Sequence, residues 1–323
     1  MARDQEKGEG RLIDWIRGRT RLDPRAVPLG PGDDMAIVSL AGESECLVTV
    51  DALVEGTHFD LAKATPREVG YKALAVSLSD AAAMAALPVC AVAWVALPNG
   101  RDMAFAKEIS RGLADAAERF ACPIVGGDIV SGSGPLSVGT ALVARADGIE
   151  PVRRSGAKPG DRLFVTGELG GSVLGRHLSF VPRVAEARIL ARTVMLHAMI
   201  DLSDGLSTDL GHLCEESGVG AEVEAEAVPI SADARRLVAA GDSTWRAETD
   251  GRPALEHALN DGEDFELLFA VGPEDGERLV AKNPLGGIRL TRIGRVTENR
   301  ETTLVRTDGR REPLEPRGWE HFR

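Results

Sequence analysis

Apolar and polar positions in the first half of the chain switch repeatedly between a period of two and a period near four. Short runs rich in β-branched residues read as strands: MAIVSL at 35–40, CLVTVD at 46–51, VCAVAWVAL at 89–97 and LSVGTALVAR at 136–145. PIVGGD at 123–128 reads as a strand running into a turn at its glycine pair. Between them lie helical stretches, VGYKALAVSLSDAAAMAA at 69–86 and MAFAKEISRGLADAAERF at 103–120. The first is opened by Thr65-Pro66-Arg67-Glu68, a capping box with proline at the first helical position. A short amphipathic helix with Leu12, Ile13 and Ile16 on one side precedes all of these.

The polar segment RRSGAKPGD, Arg153 to Asp161, is punctuated by glycine and proline. It places a boundary near 148–155, with residues 1–150 and 151–323 as two domains. The pattern then restarts with strand RLFVTG and the glycine-rich GELGGSVLG, expected to open a helix. A helix over 183–195, strand AMID, helix LSTDLGHLCEES and the alternating strand AEVEAEAV follow. FELLFAV, a helix over 274–282 and GIRLTRIGRV complete a mixed α/β chain in two lobes.

Length and composition fit this reading. The 323 residues are 43% hydrophobic and 27% charged, as expected for a protein with two real cores. No run approaches the ~18 apolar residues of a membrane span, and the N-terminus is polar without an apolar signal core. The expectation is a cytoplasmic protein with no membrane partner. Cys46, Cys90, Cys122 and Cys214 are widely spaced and read as small buried apolar groups in a reducing compartment. With 38 basic against 50 acidic residues the formal charge is −12, the wrong sign for nucleic acid. An acidic protein that handles phosphates needs metal ions or backbone amides to do it.

That condition gives meaning to the aspartates. They recur at strand ends or within apolar helices: Asp33 and Asp34 in GPGDD, Asp51 in LVTVD, Asp80 in SLSDAAAMAA, Asp128 in IVGGD, and Asp201 and Asp204 in MIDLSDG. Any one of them is most simply a turn residue or, with Ser203, a helix cap. Asp80 resists that reading, because its helix is apolar enough to be packed on most sides. An unpaired buried carboxylate costs several kcal/mol. A divalent cation is the economical partner, and all-oxygen ligands suit magnesium, manganese or calcium. Magnesium takes one or two carboxylates and otherwise waters and phosphate oxygens, so this many sites imply more than one ion. Gly30-Pro31-Gly32, Gly126-Gly127 and Gly170-Gly171 allow close backbone approach to phosphate. No GxxxxGK[ST], HRD or DFG element is present.

In this order, GPGDD, TVDALVEGTHF, YKALAVSLSDAAAMAALP, IVGGD, RRSGAKPGD, IDLSDGLSTDLGH and GEDFELLF resemble the thiamine-monophosphate kinase family of the aminoimidazole-ribonucleotide-synthetase-like superfamily. The resemblance runs from about residue 8 to the terminal GWEHFR. It implies ATP-dependent phosphorylation of thiamine monophosphate to thiamine diphosphate with several magnesium ions. It also implies a homodimer in which two N-terminal sheets close into a barrel, plus a C-terminal α/β domain. Carried over by motif, Asp34, Asp51, Asp80, Asp128, Asp201 and Asp204 match metal positions, with Thr49 and the Val50 main chain beside them. Gly127, Asp128, Arg154 and Ser203 match positions facing ATP. His58, Glu263 and Trp319 match positions facing the thiamine moiety.

Two features depart from the family. It often has a hydroxyl residue at Val50, and the region around VLGRHLSFVPRVAEARIL is shorter here. From the residues alone, His58 reads as a loop histidine, Glu263 as a solvated turn and Trp319 as a packing residue. Aminoimidazole ribonucleotide synthetase is the nearest alternative activity, disfavoured by GTHF and GEDFELLF. A non-catalytic metal-binding scaffold is the alternative of a different class. Selenophosphate synthetase would show an N-terminal reactive cysteine and a hydrogenase-maturation relative a C-terminal one, whereas this chain begins its cysteines at Cys46 and ends HFR.

Overall fold

The structure, a computed structural model, describes residue 17 and residues 23–40, 44–240 and 251–320. The helix expected at Leu12–Ile16 lies outside the described residues. Two sheets form the frame. The first has the order β1-β2-β5-β3-β4, from β1 (Ala36–Leu40), β2 (Ser44–Val54), β3 (Leu87–Pro98), β4 (Ile124–Gly132) and β5 (Ser137–Arg145). Its pairs are antiparallel except β3 with β4. Helices α1 (Pro66–Ala83) and α2 (Met103–Arg119) cover one face.

The second sheet contains β6 (Arg162–Thr166), β7 (Leu196–Asp201), β8 (Gly220–Glu224), β9 (Leu267–Val271), β10 (Leu290–Thr297), β11 (Thr302–Val305) and β12 (Arg311–Pro313). Its order is β12-β11-β8-β10-β6-β9-β7. Around it lie α3 (Val184–Thr193), α4 (Leu206–Ser217), α5 (Ala232–Ala240), α6 (Ala254–Asn260) and α7 (Pro273–Ala281). The mixed α/β class read from the sequence therefore holds.

Helix α1 organises the molecule. Its start is the anticipated capping box: the Glu68 backbone N–H donates to Thr65 Oγ1, and the Thr65 N–H donates back to Glu68 at 2.7 Å. Everything from Lys72 to Ser79 is buried, so this helix has no polar face to solvent over two turns. One core cluster joins it to both sheets, running through Leu74 and Leu78 to Phe164, Phe180, Phe265 and Phe269. Phe180 and Phe265 stack with centroids 4.0 Å apart.

Where α1 crosses α2, two glycines let the backbones touch. A Cβ on Gly70 would lie 2.0 Å from the Ile109 carbonyl, and one on Gly112 would lie 1.8 Å from that of Arg67. Helix propensity alone favours alanine over glycine by ~1 kcal/mol. The crossing reverses the sign: Gly112→Ala is expected to destabilise by about 2–3 kcal/mol through overpacking. Thermal unfolding checks this, and a midpoint raised by the substitution would contradict the contact.

Three local expectations are corrected. Gly126-Gly127 is not a turn, because β4 continues in register with β3 to Gly132 and pairs Gly127 with Ala93. A Cβ at Gly127 would meet the Ala93 carbonyl at 1.9 Å, so this glycine serves strand pairing. GELGGSVLG opens no α-helix: left-handed Gly170 and Gly171 and an irregular Gly175 break it into two 3-10 turns, Ser172–Leu174 and Arg176–Leu178. AEVEAEAV is strand only to Glu224 and then turns as Ala225–Ala227. Of the four cysteines, Cys122 and Cys214 are buried as expected, while Cys46 and Cys90 are only half-buried. No described helix is long and apolar enough to cross a membrane.

Candidate metal and phosphate site

β1 pairing stops at Ala36 opposite Val48, so the turn bearing Asp33 and Asp34 lies where β2 continues through Thr49 and Asp51. On the covered face, Asp51 is in register with Thr140 of β5, beneath α1. β7 delivers Asp201 from the other sheet. The result is a carboxylate cluster at the junction: one oxygen each of Asp34, Asp80 and Asp201 lie within 4.8 Å of one another.

Hydroxyls from α1 and β2 line this cluster. Thr49 Oγ1 donates to Asp80 at 2.5 Å, Ser77 Oγ to Asp51 at 2.8 Å and Ser79 Oγ to Asp201 at 2.6 Å. Ser77 also lies 2.7 Å from the Thr140 hydroxyl, which donates to the Ala73 carbonyl. Asp51, Asp80 and Asp201 thus each accept from a neutral hydroxyl, and Asp80 and Asp201 also turn an oxygen towards Asp34.

The electrostatics are those of a site short of positive charge. Burial, and then the charges of Asp51, Asp201 and Asp34, push Asp80 well above the usual carboxylate range. Burial and then Asp34 push Asp201 up to about 8, against the opposing hydrogen bond from Ser79. Asp51 is raised by burial, and Asp209 well above its ordinary value by burial and then by Asp204 and Asp201. Arg154 supplies the nearest counter-charge. It grips Asp34 through Nη2 at 2.7 Å and Nε at 3.2 Å, while its backbone N–H donates to Asp33. Asp33, half-buried beside Asp34, rises to about 6, chiefly by burial.

A set of hard oxygen donors at this spacing fits magnesium, which neutralises neighbouring carboxylates that otherwise repel. Asp34, Asp80 and Asp201 are the residues that would hold it, with Asp51 and Thr49 adjoining.

The other expected site residues fall at varying distances from this centre. Alternation along β2 turns Val50 to the opposite face of the sheet, where its side chain is 67% exposed. Asp128 is exposed on β4 and accepts from the Ile129 N–H. Asp51, Thr140, Ala93 and Gly127 run across the sheet in register. Asp128 is therefore about three strand spacings, roughly 14 Å, from the cluster within one chain. Gly127 and Asp128 instead line a cavity of about 810 Å³ between β3, β4 and α2, with Leu113, Ala114 and Ala117. Arg154, expected to face ATP, is committed to Asp34.

Ser203 and Asp204 lie in the loop that follows β7. Neither side chain caps α4; the N-cap is Gly205, and Asp209 accepts from the Asp204 and Gly205 N–H groups. The loop's carbonyls instead hold two other expected residues. Glu263 N–H donates to the Ser203 carbonyl at 2.7 Å, and Trp319 N–H donates to that of Asp204 at 2.9 Å.

Glu263 is not a solvated turn. It is 7% exposed, has a positive φ of 56°, and accepts from Lys72 Nζ at 2.8 Å. The same ammonium donates to the His58 carbonyl at 2.7 Å, so His58 and Glu263 share one buried cation. His58 Nδ1 accepts from the Val54 N–H, which fixes the ring over its own loop. Trp319 is half-buried and borders a pocket of about 190 Å³ with Val173, Leu237, Arg252, Asn260 and Asp261.

The residues not anticipated are Ser77, Ser79, Lys72 and Asp209. The first three are detectable as polar positions in a helix otherwise apolar on all sides. Asp209 carries no such signal, because an acidic residue in a first helical turn is ordinary.

Known proteins match this arrangement along its length. The model of the AIR synthase related protein N-terminal domain matches residues 32–146, and that of the corresponding C-terminal domain matches 127–306. The thiamine-monophosphate kinase of Rhodopirellula baltica is 40% identical over 295 residues, covering 89% of each chain. That of Escherichia coli strain K12 is 34% identical over 338 aligned positions, covering 98% of each. A solved structure of AaThiL complexed with AMPPCP and TMP superposes with a TM-score of 0.80 at 31% identity, covering 100% of this chain and 99% of the other. On this likeness in sequence, in fold and in length, the chain belongs to the thiamine-monophosphate kinase family.

Proposed function

We propose that the protein transfers the γ-phosphoryl group of ATP to thiamine monophosphate, giving thiamine diphosphate and ADP. The observation that carries this reading is the Asp34–Asp80–Asp201 cluster, built from both sheets, in a chain of this family. A family member of the same fold is complexed with an ATP analogue and TMP. The acceptor is itself a phosphate, whose oxygens are largely ionised near neutral pH, so the reaction needs no strong general base. It needs relief from repulsion between two anions, which magnesium bound by the cluster would supply. The chain's own residues hold the carboxylates at fixed separation, through Thr49, Ser77, Ser79 and Arg154.

Several magnesium ions, with Asp51, Asp128 and Asp204 as further ligands, extend this reading. So do Gly127, Arg154 and Ser203 at the nucleotide, and His58, Glu263 and Trp319 at the thiamine moiety. A homodimer belongs to the same reading, and the first sheet carries an apolar face that it would use. Val48, Val50, Cys90, Val92, Ala141 and Val143 share the sheet face opposite α1, and Val50 and Val92 are 67% and 44% exposed there. Closing two such faces into a barrel would cover them. The nucleotide-binding half then ends near 150 and the α/β half runs from 151 to 323.

The deciding assay is ATP consumption with magnesium, which should require thiamine monophosphate as acceptor. Consumption supported only by aminoimidazole precursors, or by none, would favour the alternatives. Transfer is direct and in line, with no aspartate as nucleophile: the acceptor oxygen bonds to the γ-phosphorus as the bond to ADP breaks. Enzyme incubated with magnesium and γ-labelled ATP alone should stay unlabelled; label on His58 or Asp34 that chases into product would refute direct transfer.

Trp319→Ala should raise the KM for thiamine monophosphate about tenfold, ~1.4 kcal/mol of aromatic contact, and leave the KM for ATP within about twofold. Equal loss of both affinities would make Trp319 a packing residue.

A further inference from the structure

Polar side chains anchor helix α1 at two places. At one, buried Ser77 and Ser79 and half-buried Asp80 meet the carboxylate cluster; at the other stands Lys72, fully shielded from solvent. Its Nζ joins the His58 carbonyl, 14 residues away, to Glu263, 191 residues away. Stability alone does not explain such a pair, since a well-packed apolar side chain in its place is often as stable or more so. Glu263 is also held in the left-handed region, at a cost of order 1 kcal/mol, with its N–H tied to Ser203. The two loops are therefore fixed at one separation, with lysine as the common partner.

The helix between the anchors cannot give way. Leu74 and Leu78 are fully buried and Gly70 rests against the α2 backbone. From Lys72 to Asp80 is eight residues, about 12 Å of helix rise. We infer that Lys72 is a positioning residue for acceptor choice: α1 acts as a rigid spacer between the phosphate end, at the metal-binding carboxylates, and the far end, at the His58 and Glu263 loops. An acceptor made of a phosphate, a short linker and two rings spans a comparable length, and one lacking the outer ring does not reach the loops. This inference rests on the proposed function.

The test compares full-length wild type, Lys72→Met and Lys72→Arg. Three quantities are read: the KM for thiamine monophosphate, the KM for ATP, and the Ki of the thiazole-alcohol phosphate that lacks the pyrimidine. In Lys72→Met the KM for thiamine monophosphate should rise about tenfold or more. The KM for ATP and the Ki of the truncated phosphate should stay within about twofold. Lys72→Arg, which keeps the charge, should recover part of the difference. Proportional loss in all three quantities, or no change in any, would overturn the inference and leave Lys72 a structural residue. If Lys72→Met does not fold, Lys72→Arg decides by the same ratio, with about a threefold shift expected and an unchanged ratio refuting. Failure of the proposed function shows earlier and separately, as wild type that does not phosphorylate thiamine monophosphate at all.

Discussion

Asp80→Asn should reduce turnover about a thousandfold or more, ~4 kcal/mol of lost transition-state stabilisation, while the protein still folds. Asparagine keeps the shape and can still accept the hydrogen bond that Thr49 donates. What it lacks is the charge that would hold a cation between Asp34 and Asp201. The same change should make the metal-free protein more stable, because it removes a carboxylate whose charge is disfavoured in the folded chain by burial and by Asp51, Asp201 and Asp34. Each ~1 kcal/mol of relieved repulsion appears as a midpoint about 2–4 °C higher. Added magnesium with nucleotide should stabilise wild type by linkage and the variant far less. A fully active Asp80→Asn would remove this residue from the site.

Metal-free wild type should lose stability as pH rises from about 4 to about 8. Asp201 has its folded value at about 8 against an ordinary 3.8, so between these limits the folded chain holds a proton that the unfolded chain has released. Its contribution is complete below the unfolded value and disappears as pH passes through the folded one. Over that window each retained proton costs the fold ~1.4 kcal/mol per pH unit. Asp33, raised to about 6, and Asp264, raised to about 7 by burial despite its Arg176 partner, act in the same direction. Depressed carboxyls such as Asp115 and Asp308 lose their contribution only as pH falls below the ordinary range. They do not oppose the slope. Thermal midpoints measured from pH 5 to 8 in chelator should therefore fall. Magnesium should flatten the share due to Asp201 and leave that of Asp264. A midpoint that rises over this range in chelator would contradict the burial of these groups.

Much of this architecture is legible in the amino-acid sequence, and for identifiable reasons. The capping box and proline at Thr65–Glu68 fix where α1 begins by local chemistry alone, and the helix starts there. Asp80 stands out because an acid in an all-apolar helix needs a partner, and its partners are two further aspartates, Asp34 and Asp201, brought in beside strands. Less is legible where tertiary pairing decides. Gly126-Gly127 carries turn chemistry in sequence, yet becomes strand because β3 offers a parallel edge. That same extension takes Asp128 across the sheet, a displacement no motif encodes.

Glu263 reads as a turn residue between glycine and aspartate, and only the approach of Lys72 from a distant helix makes it a buried ion pair. Helices α5 and α6 and strands β11 and β12 escape the sequence pattern altogether. They are short, and short elements carry too few periods for hydrophobic spacing to reveal.

The core that α1 shares with both sheets bears on how the protein is made and broken. Side chains from Met35 to Leu285 belong to one cluster, so the first sheet and α1 share their apolar interior with one face of the second sheet, whose other face packs a separate cluster from Ala157 to Leu314. The peptide between the sheets is likewise tied down, with the Arg153 carbonyl accepting from Met199 and the Gly156 and Ala157 N–H groups donating to Ser217. Heating should then melt both sheets in one calorimetric transition, and a chain cut near Gly156 should remain associated as a nicked whole. For the ribosome, the consequence is a delay. Until Phe265 and Phe269 emerge, α1 lacks part of its packing, and the nascent N-terminal half has an apolar surface for a chaperone to shield.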